Sequence, residues 1–336
     1  MRFFFGFGGG YKGLLNWLKL RQDQTACLVS YISKQVENAR QILPEMPLML
    51  DSGAYSWYTK HVKNLSSIFV MDWSWVDSKE FRSYLDEYVQ WLLKNKDMVD
   101  VYVTLDVIGN AEKSWEITEY ITSFGLRPVA VFHRGEDLVW LKKYVDKGYD
   151  YIGISGPKGT SDDSLKWYDE VFLYLGKDLI DSGLKIHLFG RFDLKTLKRY
   201  PAYSCDAISW VFAAANCRVR FPRLASDGTF DFLSSPVVVE LPTKPTSSKI
   251  VMTLYEYVEM VGWDVVKAWL DSACIEGISW DNVDVAVELL KDRNIRAILN
   301  WYFDMNVEKS INELKDREYG VWRQNRKVIP LLFEED

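Results

Sequence analysis

Leu48-Met49-Leu50-Asp51-Ser52-Gly53-Ala54-Tyr55 passes from an apolar run straight into a carboxylate and a small polar turn. A short run of this kind, led by Pro47 and stopped by Ser and Gly, reads as a buried strand. The pattern recurs along the chain. Strands are expected at Arg2 to Gly6, Ala26 to Ile32, Pro47 to Asp51, Val99 to Asp106, Pro128 to His133, Asp150 to Ile154, Lys185 to Gly190 and Cys205 to Val211. Helical periodicity fills most of the gaps, as in Phe81, Tyr84, Leu85, Tyr88, Trp91 and Leu92 behind an Asp77-Ser78 cap. Eight strands alternating with helices over about 210 residues is the repeat of an α/β fold of the (β/α)8 TIM-barrel type, with a doubly wound sheet as the rival. The polar residues favour the barrel. Asp51, Asp106, His133, Ser155, Arg191 and Ser209 all fall at or just after carboxyl ends of expected strands, and a barrel gathers those ends at one mouth. Asp206 falls at the start of its expected strand.

Residues 212–249 read as a basic, β-containing insertion after strand 8, with strand pieces around Arg218 to Phe221 and Val237 to Leu241. From Ile250 the pattern turns helical again. The expected division is a catalytic barrel domain over 1–249, including that insertion, and a closing barrel helix with a C-terminal helical appendage over 250–336.

At 336 residues and 48% hydrophobic, with 14 Trp, 19 Tyr and 17 Phe, the chain has apolar mass for a large core, so disorder is excluded. The net charge of −6 argues against a protein that coats nucleic acid with its whole surface. Cys27, Cys205, Cys217 and Cys274 contain no CxxC pair, and only three histidines accompany them. No metal site and no cofactor are therefore expected, and the compartment expected is the reducing cytoplasm, a host's if the protein is viral. The apolar start Met1 to Gly6 is too short for a signal or a membrane span.

Gly8-Gly9-Gly10-Tyr11-Lys12-Gly13 satisfies GxGxxG, but Tyr31-Ile32-Ser33 offers no acid for a ribose, so a glycine turn that allows close backbone approach is the better reading. Asp51 and Asp106 each have an ordinary explanation as turn-capping residues. On adjacent strands of one barrel they become a carboxylate pair suited to acid/base or glycosyl chemistry. His133 sits at the same rim, whereas His187 reads as packing. Residues 184–250 hold ten basic side chains against five acidic, a local +5 that leaves −11 on the rest. A solvated face is the ordinary reading of such a run. Its position after strands 7 and 8, where barrels often bind phosphate, makes Arg191, Lys195, Arg218, Arg220 and Arg223 candidate nucleic-acid contacts. Trp57, Tyr58, Trp73 and Trp75 offer either stacking surfaces or core packing.

These residues, over roughly 1–235, resemble the queuine/archaeosine tRNA-guanine transglycosylase superfamily, and most closely its DpdA-type branch, which inserts 7-deazaguanines into DNA. Asp51-Ser52-Gly53-Ala54-Tyr55-Ser56 is similar to the family's DSGG(F/Y) motif, and Leu105-Asp106 to its base-recognising aspartate. His133 and Gly135 stand where the family has a glutamine-glycine pair. Gly153-Ile154-Ser155-Gly156 is similar to the base-pocket wall, and His187-Leu188-Phe189-Gly190 to the strand-seven signature. In Asp206-Ala207-Ile208-Ser209-Trp210, Ser209 replaces the second of two family aspartates, a form similar to the DNA-directed branch. The family's CxCxxC zinc subdomain is absent from the sequence.

The resemblance implies a base exchange that replaces guanine in DNA with a 7-deazaguanine of the preQ0 type. It implies catalytic roles for Asp51, Asp206 and Ser209, with Asp206 as nucleophile, Asp51 as acid/base and Asp51 as the alternative nucleophile. It implies base contacts from Asp106, His133, Gly153, Ser155 and Trp210. The implied partners are DNA with an extruded or single-stranded base and the free deazaguanine, with no membrane. Three other readings remain: a tRNA-directed transglycosylase, an N-glycosidic hydrolase, and a non-catalytic nucleic-acid-binding barrel.

Overall fold

The computed structural model describes residues 1–7, 9–62, 73–156, 162–241 and 252–314. Eight strands, β1 (Arg2–Gly6), β2 (Ala26–Ser30), β3 (Leu48–Asp51), β4 (Val101–Tyr102), β5 (Ala130–His133), β6 (Tyr151–Ser155), β7 (Lys185–Leu188) and β8 (Ser204–Ala207), form one sheet in the order 4-3-2-1-8-7-6-5. Every pairing in it is parallel. The sheet is curled and TIM-barrel-like. Its edges approach through a bridge between Val103 and Val129, with Thr104 N–H donating to Val129 O (3.0 Å) and Val129 N–H to Tyr102 O (2.8 Å).

Side chains alternate across each strand, so one parity faces the inside of the curl and the other faces the helices. Phe3 and Phe5 join the large core under the helices, while Phe4 packs inside with Ala26, Met49, Val103, Val129 and Val131. That parity positions the chemistry. Asp51 lies two residues beyond Met49, His133 two beyond Val131, and Asp206 is the register partner of Phe4.

Two expected strands are corrected. The fourth is only Val101–Tyr102, followed by the Val103 bridge to Val129, and Leu105 and Asp106 lie beyond the paired residues. The eighth is Ser204–Ala207, and Ser209, Trp210 and Val211 begin a helix, Ser209–Ala215. Asp206 is thereby the third of four strand residues, near the strand's carboxyl end, rather than the second of seven at its start. Beyond it, β9 (Arg218–Phe221) pairs antiparallel with β12 (Val237–Glu240), and β10 (Arg223–Leu224) with β11 (Phe230–Asp231). Residues 242–249 of the expected insertion lie outside the described residues.

The helix Arg293–Glu313 packs against β1, β9, the helix Ser209–Ala215 and the first helix, Lys12–Leu18. Gly13 allows that approach: a Cβ there would meet Asn294 Cβ at 2.9 Å, and its N–H donates to Asn294 Oδ1 (3.1 Å). The glycine-rich loop thus serves helix contact at Gly13, although Gly8 itself is not described. No helix among the described residues is long and apolar enough to cross a membrane.

Arg220 and Asp304 join β9 to this helix by a bidentate pair, Nη1 to Oδ1 at 2.6 Å and Nη2 to Oδ2 at 2.7 Å. Asp304 is fully buried. Removing one partner strands the other charge, so Asp304→Ala should lower unfolding stability by roughly 3–5 kcal/mol, measured by urea denaturation.

Candidate active site

A cavity of about 370 Å³ opens at the carboxyl ends of the strands, within the size range of small-molecule sites. Asp51, Asp106 and Asp206 all line it, with His133, Ser155 and Arg191. A larger hollow of about 560 Å³ lies at the opposite end, among Arg2, Pro47, Arg127, Asp150 and Tyr203. The smaller one is the candidate site, because the strand ends that carry chemistry in barrels converge there and because it gathers the three carboxylates.

Asp51 closes β3, and the chain turns at once through Gly53, whose φ of +87° suits glycine. Gly53 N–H donates to Asp51 Oδ2 (3.2 Å), so the carboxylate does cap its own turn as well as facing the cavity. A Cβ on Gly53 would meet Ile32 Cδ1 at 2.5 Å, which adds a steric reason for glycine. Desolvation and the negative charges of Asp106 and Asp206 push the Asp51 pKa up to about 6, against hydrogen bonds from Ser30 and Gly53 N–H.

Asp106 is buried, and its Oδ2 lies 2.8 Å from His133 Nε2. The other ring nitrogen, Nδ1, is 3.0 Å from Glu136 Oε1, and His133 N–H donates to Glu136 Oε2 (2.8 Å). Burial pulls the His133 pKa down, but hydrogen bonds to Asp106 and Glu136 outweigh it and hold the value at about 9. His133 is therefore at the site as expected. With both nitrogens committed, its work is to hold Asp106 rather than to offer a polar edge to a base. Sequence reasoning missed Glu136; the His-x-x-Glu spacing around Gly135 (φ +91°) is the signal that could have found it.

Asp206 Oδ1 accepts the N–H of Gly190 (2.5 Å), the residue that turns the chain after β7 with φ +61°. Ser155 and Gly156 form one wall. Gly153 does not. A Cβ there would meet the Phe189 ring at 2.2 Å, so this glycine makes room for Phe189, and Phe189 lines the cavity instead. Tyr55 stands at the rim, 61% exposed.

Several expected site residues are not brought together. Ser209 Oγ donates to Asp304 Oδ2 (3.3 Å) at the foot of its helix and does not line the cavity. Trp210 is wholly buried between Tyr11 and Trp301, at ring separations of 5.2 and 4.9 Å. Both follow from the strand ending at Ala207. Arg191 lines the cavity but is 3% exposed, donating to Thr196 Oγ1 (2.5 Å) and lying 3.1 Å from Asp193. Arg220 is committed to Asp304, and Arg218 pairs with Glu240 at 3.0 Å. Lys195 and Arg223 are exposed. The expected basic face is therefore reduced among the described residues, since carboxylates engage Arg191, Arg218 and Arg220. Trp57 and Trp75 stack on each other and meet Phe81 edge-on, so Trp75 is core and the half-buried Trp57 packs against it.

No protein-family model matches the chain, and no curated protein matches it.

Two pH effects follow. The His133 pKa is raised above its unfolded value near 6.5, so its stabilisation is complete below that pH and is lost as pH rises through about 9. Thermal melts from pH 6 to 10 should show a loss in the wild type that His133→Gln lacks. Asp51 is also raised, which for a carboxyl means that stability falls as pH climbs from about 4 to about 6. Asp51→Asn should therefore be more stable than wild type at pH 7, by ~1–2 kcal/mol after discounting for a half-buried group, and equal to it at pH 4.

Proposed function

We propose that the chain is a closed (β/α)8-barrel glycosyltransferase that exchanges guanine in DNA for a 7-deazaguanine base. The observation that carries the reading is the meeting of Asp51, Asp106 and Asp206 in one cavity. The motif resemblance supplies the reaction class, and the bridge between the sheet edges supports closure of the barrel.

In this reading the target nucleotide leaves the stack and its base enters the cavity, with Tyr55 available to stack at the rim. A carboxylate oxygen of Asp206 attacks C1′, the bond from C1′ to the base nitrogen breaks, and its electron pair leaves with guanine. Asp51 gives that nitrogen a proton. The incoming deazaguanine returns a proton to Asp51 and attacks C1′, displacing Asp206. Two inversions retain the sugar configuration. A carboxyl with a pKa of about 6 suits both halves, because it can hold or accept a proton near neutrality. Asp106, fixed by His133, accepts hydrogen bonds from the base edge. The reaction as written needs no metal or redox cofactor, and a cytoplasmic setting, a host's for a viral protein, suits a DNA substrate.

The experiment is incubation of the protein with guanine-containing DNA and a labelled 7-deazaguanine. Label should enter DNA, and Asp206→Asn should abolish a denaturation-resistant protein–DNA adduct while Asp51→Asn still forms some. Label in tRNA instead would overturn the DNA assignment. Guanine released without label entering would make the protein a hydrolase, and loss of adduct only in Asp51→Asn would exchange the two roles.

A further inference from the structure

Inside the curl, beside the apolar cluster of Phe4, Ala26, Met49, Val103, Val129 and Val131, runs a line of polar groups. Tyr151 Oη on β6 lies 2.5 Å from Ser204 Oγ on β8, and Ser204 Oγ lies 2.7 Å from His187 Nδ1 on β7. His187 Nε2 is 3.4 Å from Asp206 Oδ1. His187 and Ser204 are register partners and both are 0% exposed. A core pays for buried polar groups unless they are paired, so three in a row need an account.

The proton order supplies it. Burial pushes the Tyr151 hydroxyl's pKa well up, against its hydrogen bond with Ser204, so it keeps a proton to donate. With Tyr151 donating to Ser204 and Ser204 donating to Nδ1, the ring hydrogen of His187 lies on Nε2, directed at Asp206. The opposite order would set a bare nitrogen lone pair against a carboxylate oxygen. Among the described residues Nε2 has no hydrogen-bond partner meeting ordinary geometry. Its 3.4 Å separation from Asp206 is long for a hydrogen bond and of the kind that shortens when substrate fills a site.

We propose that Tyr151, Ser204 and His187 form a hydrogen-bonded column that positions Asp206. His187 Nε2–H and Gly190 N–H converge on Oδ1, which leaves Oδ2 as the oxygen that attacks C1′. This assignment of the attacking oxygen rests on the base-exchange reading of the cavity. His187 is a positioning residue, acting through Asp206 and not on the substrate. Packing accounts for part of its surroundings, since its ring lies 4.4 Å from Phe189 and 6.2 Å from Phe4, but packing alone sets no ring hydrogen.

The test has two arms on the full chain. Imidazole ¹⁵N NMR should show the His187 hydrogen on Nε2 in the wild type, and a tautomer mixture in Ser204→Ala. A hydrogen on Nδ1 in the wild type overturns the column. In base-exchange kinetics with labelled deazaguanine, His187→Phe should lower kcat about 10²-fold with little change in KM, the scale on which loss of a fixed donor is felt. His187→Gln, which can place an N–H near the Nε2 position, should recover about tenfold of that loss. Unchanged kcat in His187→Phe, or no recovery in a folded His187→Gln, overturns the positioning role. If the wild type exchanges no base at all, the reading of the site fails, and the NMR arm alone decides the column.

Discussion

Three carboxylates share one cavity, and like charges in a partly desolvated space cannot all ionise without cost. Much of the mouth is arranged around that constraint. Asp51 takes the protonation penalty, with a pKa of about 6. Asp106 is offset by a histidine clamped between it and Glu136. Asp206 receives a backbone N–H from Gly190 and faces a ring nitrogen of His187. Three chemically identical side chains thus acquire three environments, the difference that the base-exchange proposal uses to separate proton transfer, recognition and nucleophilic attack.

The backbone makes this possible by parity and by turns. Because alternate strand residues face inward, Met49 and Asp51, Val131 and His133, Ser204 and Asp206 share the interior, apolar or neutral below and charged above. Gly53, Gly135 and Gly190, all at positive φ, turn the chain at strand ends and present Gly53 N–H and Gly190 N–H to carboxylates. The site is therefore built on rigid strand ends rather than on long loops.

Asp51, Asp106 and His133 were legible in the sequence because each ends a short apolar run, and strand ends in a parallel barrel meet. The eight-strand reading rested on the same signal and matches the curled all-parallel sheet. What the sequence hid depended on where a strand stops. Ala207-Ile208-Ser209-Trp210-Val211 is apolar enough to extend a strand, and only the exposed Ile208 and the helix after it show the break. That shift moved Asp206 into the mouth and took Ser209 and Trp210 out of it. Charge was misleading for a related reason. Arg191, Arg218 and Arg220 look like a basic surface in a linear count, yet their partners Asp193, Glu240 and Asp304 include one residue 84 positions away. A long-range ion pair leaves no trace in local composition. Gly153 and Phe189 illustrate the same limit, since a glycine can serve a neighbour's ring instead of a ligand.

The balance of charge at the cavity constrains what can react there. Among the described residues its two cations are already engaged, His133 with Asp106 and Glu136 and Arg191 with Asp193. Asp51 and Asp206 are the charges left facing the hollow. Such a surface repels a phosphate and welcomes a neutral base, so in the base-exchange proposal the nucleotide enters base first, with its backbone held outside the mouth. It also stabilises positive charge as that charge develops. Cleavage of an N-glycosidic bond passes through an oxocarbenium-like sugar, positive at C1′, and electrostatics organised before the reaction favour such a state over its neutral ground state. In the base-exchange proposal it is therefore the charge of the cavity, and not the net −6 of the chain, that suits glycosyl chemistry on a nucleotide whose phosphates stay outside it.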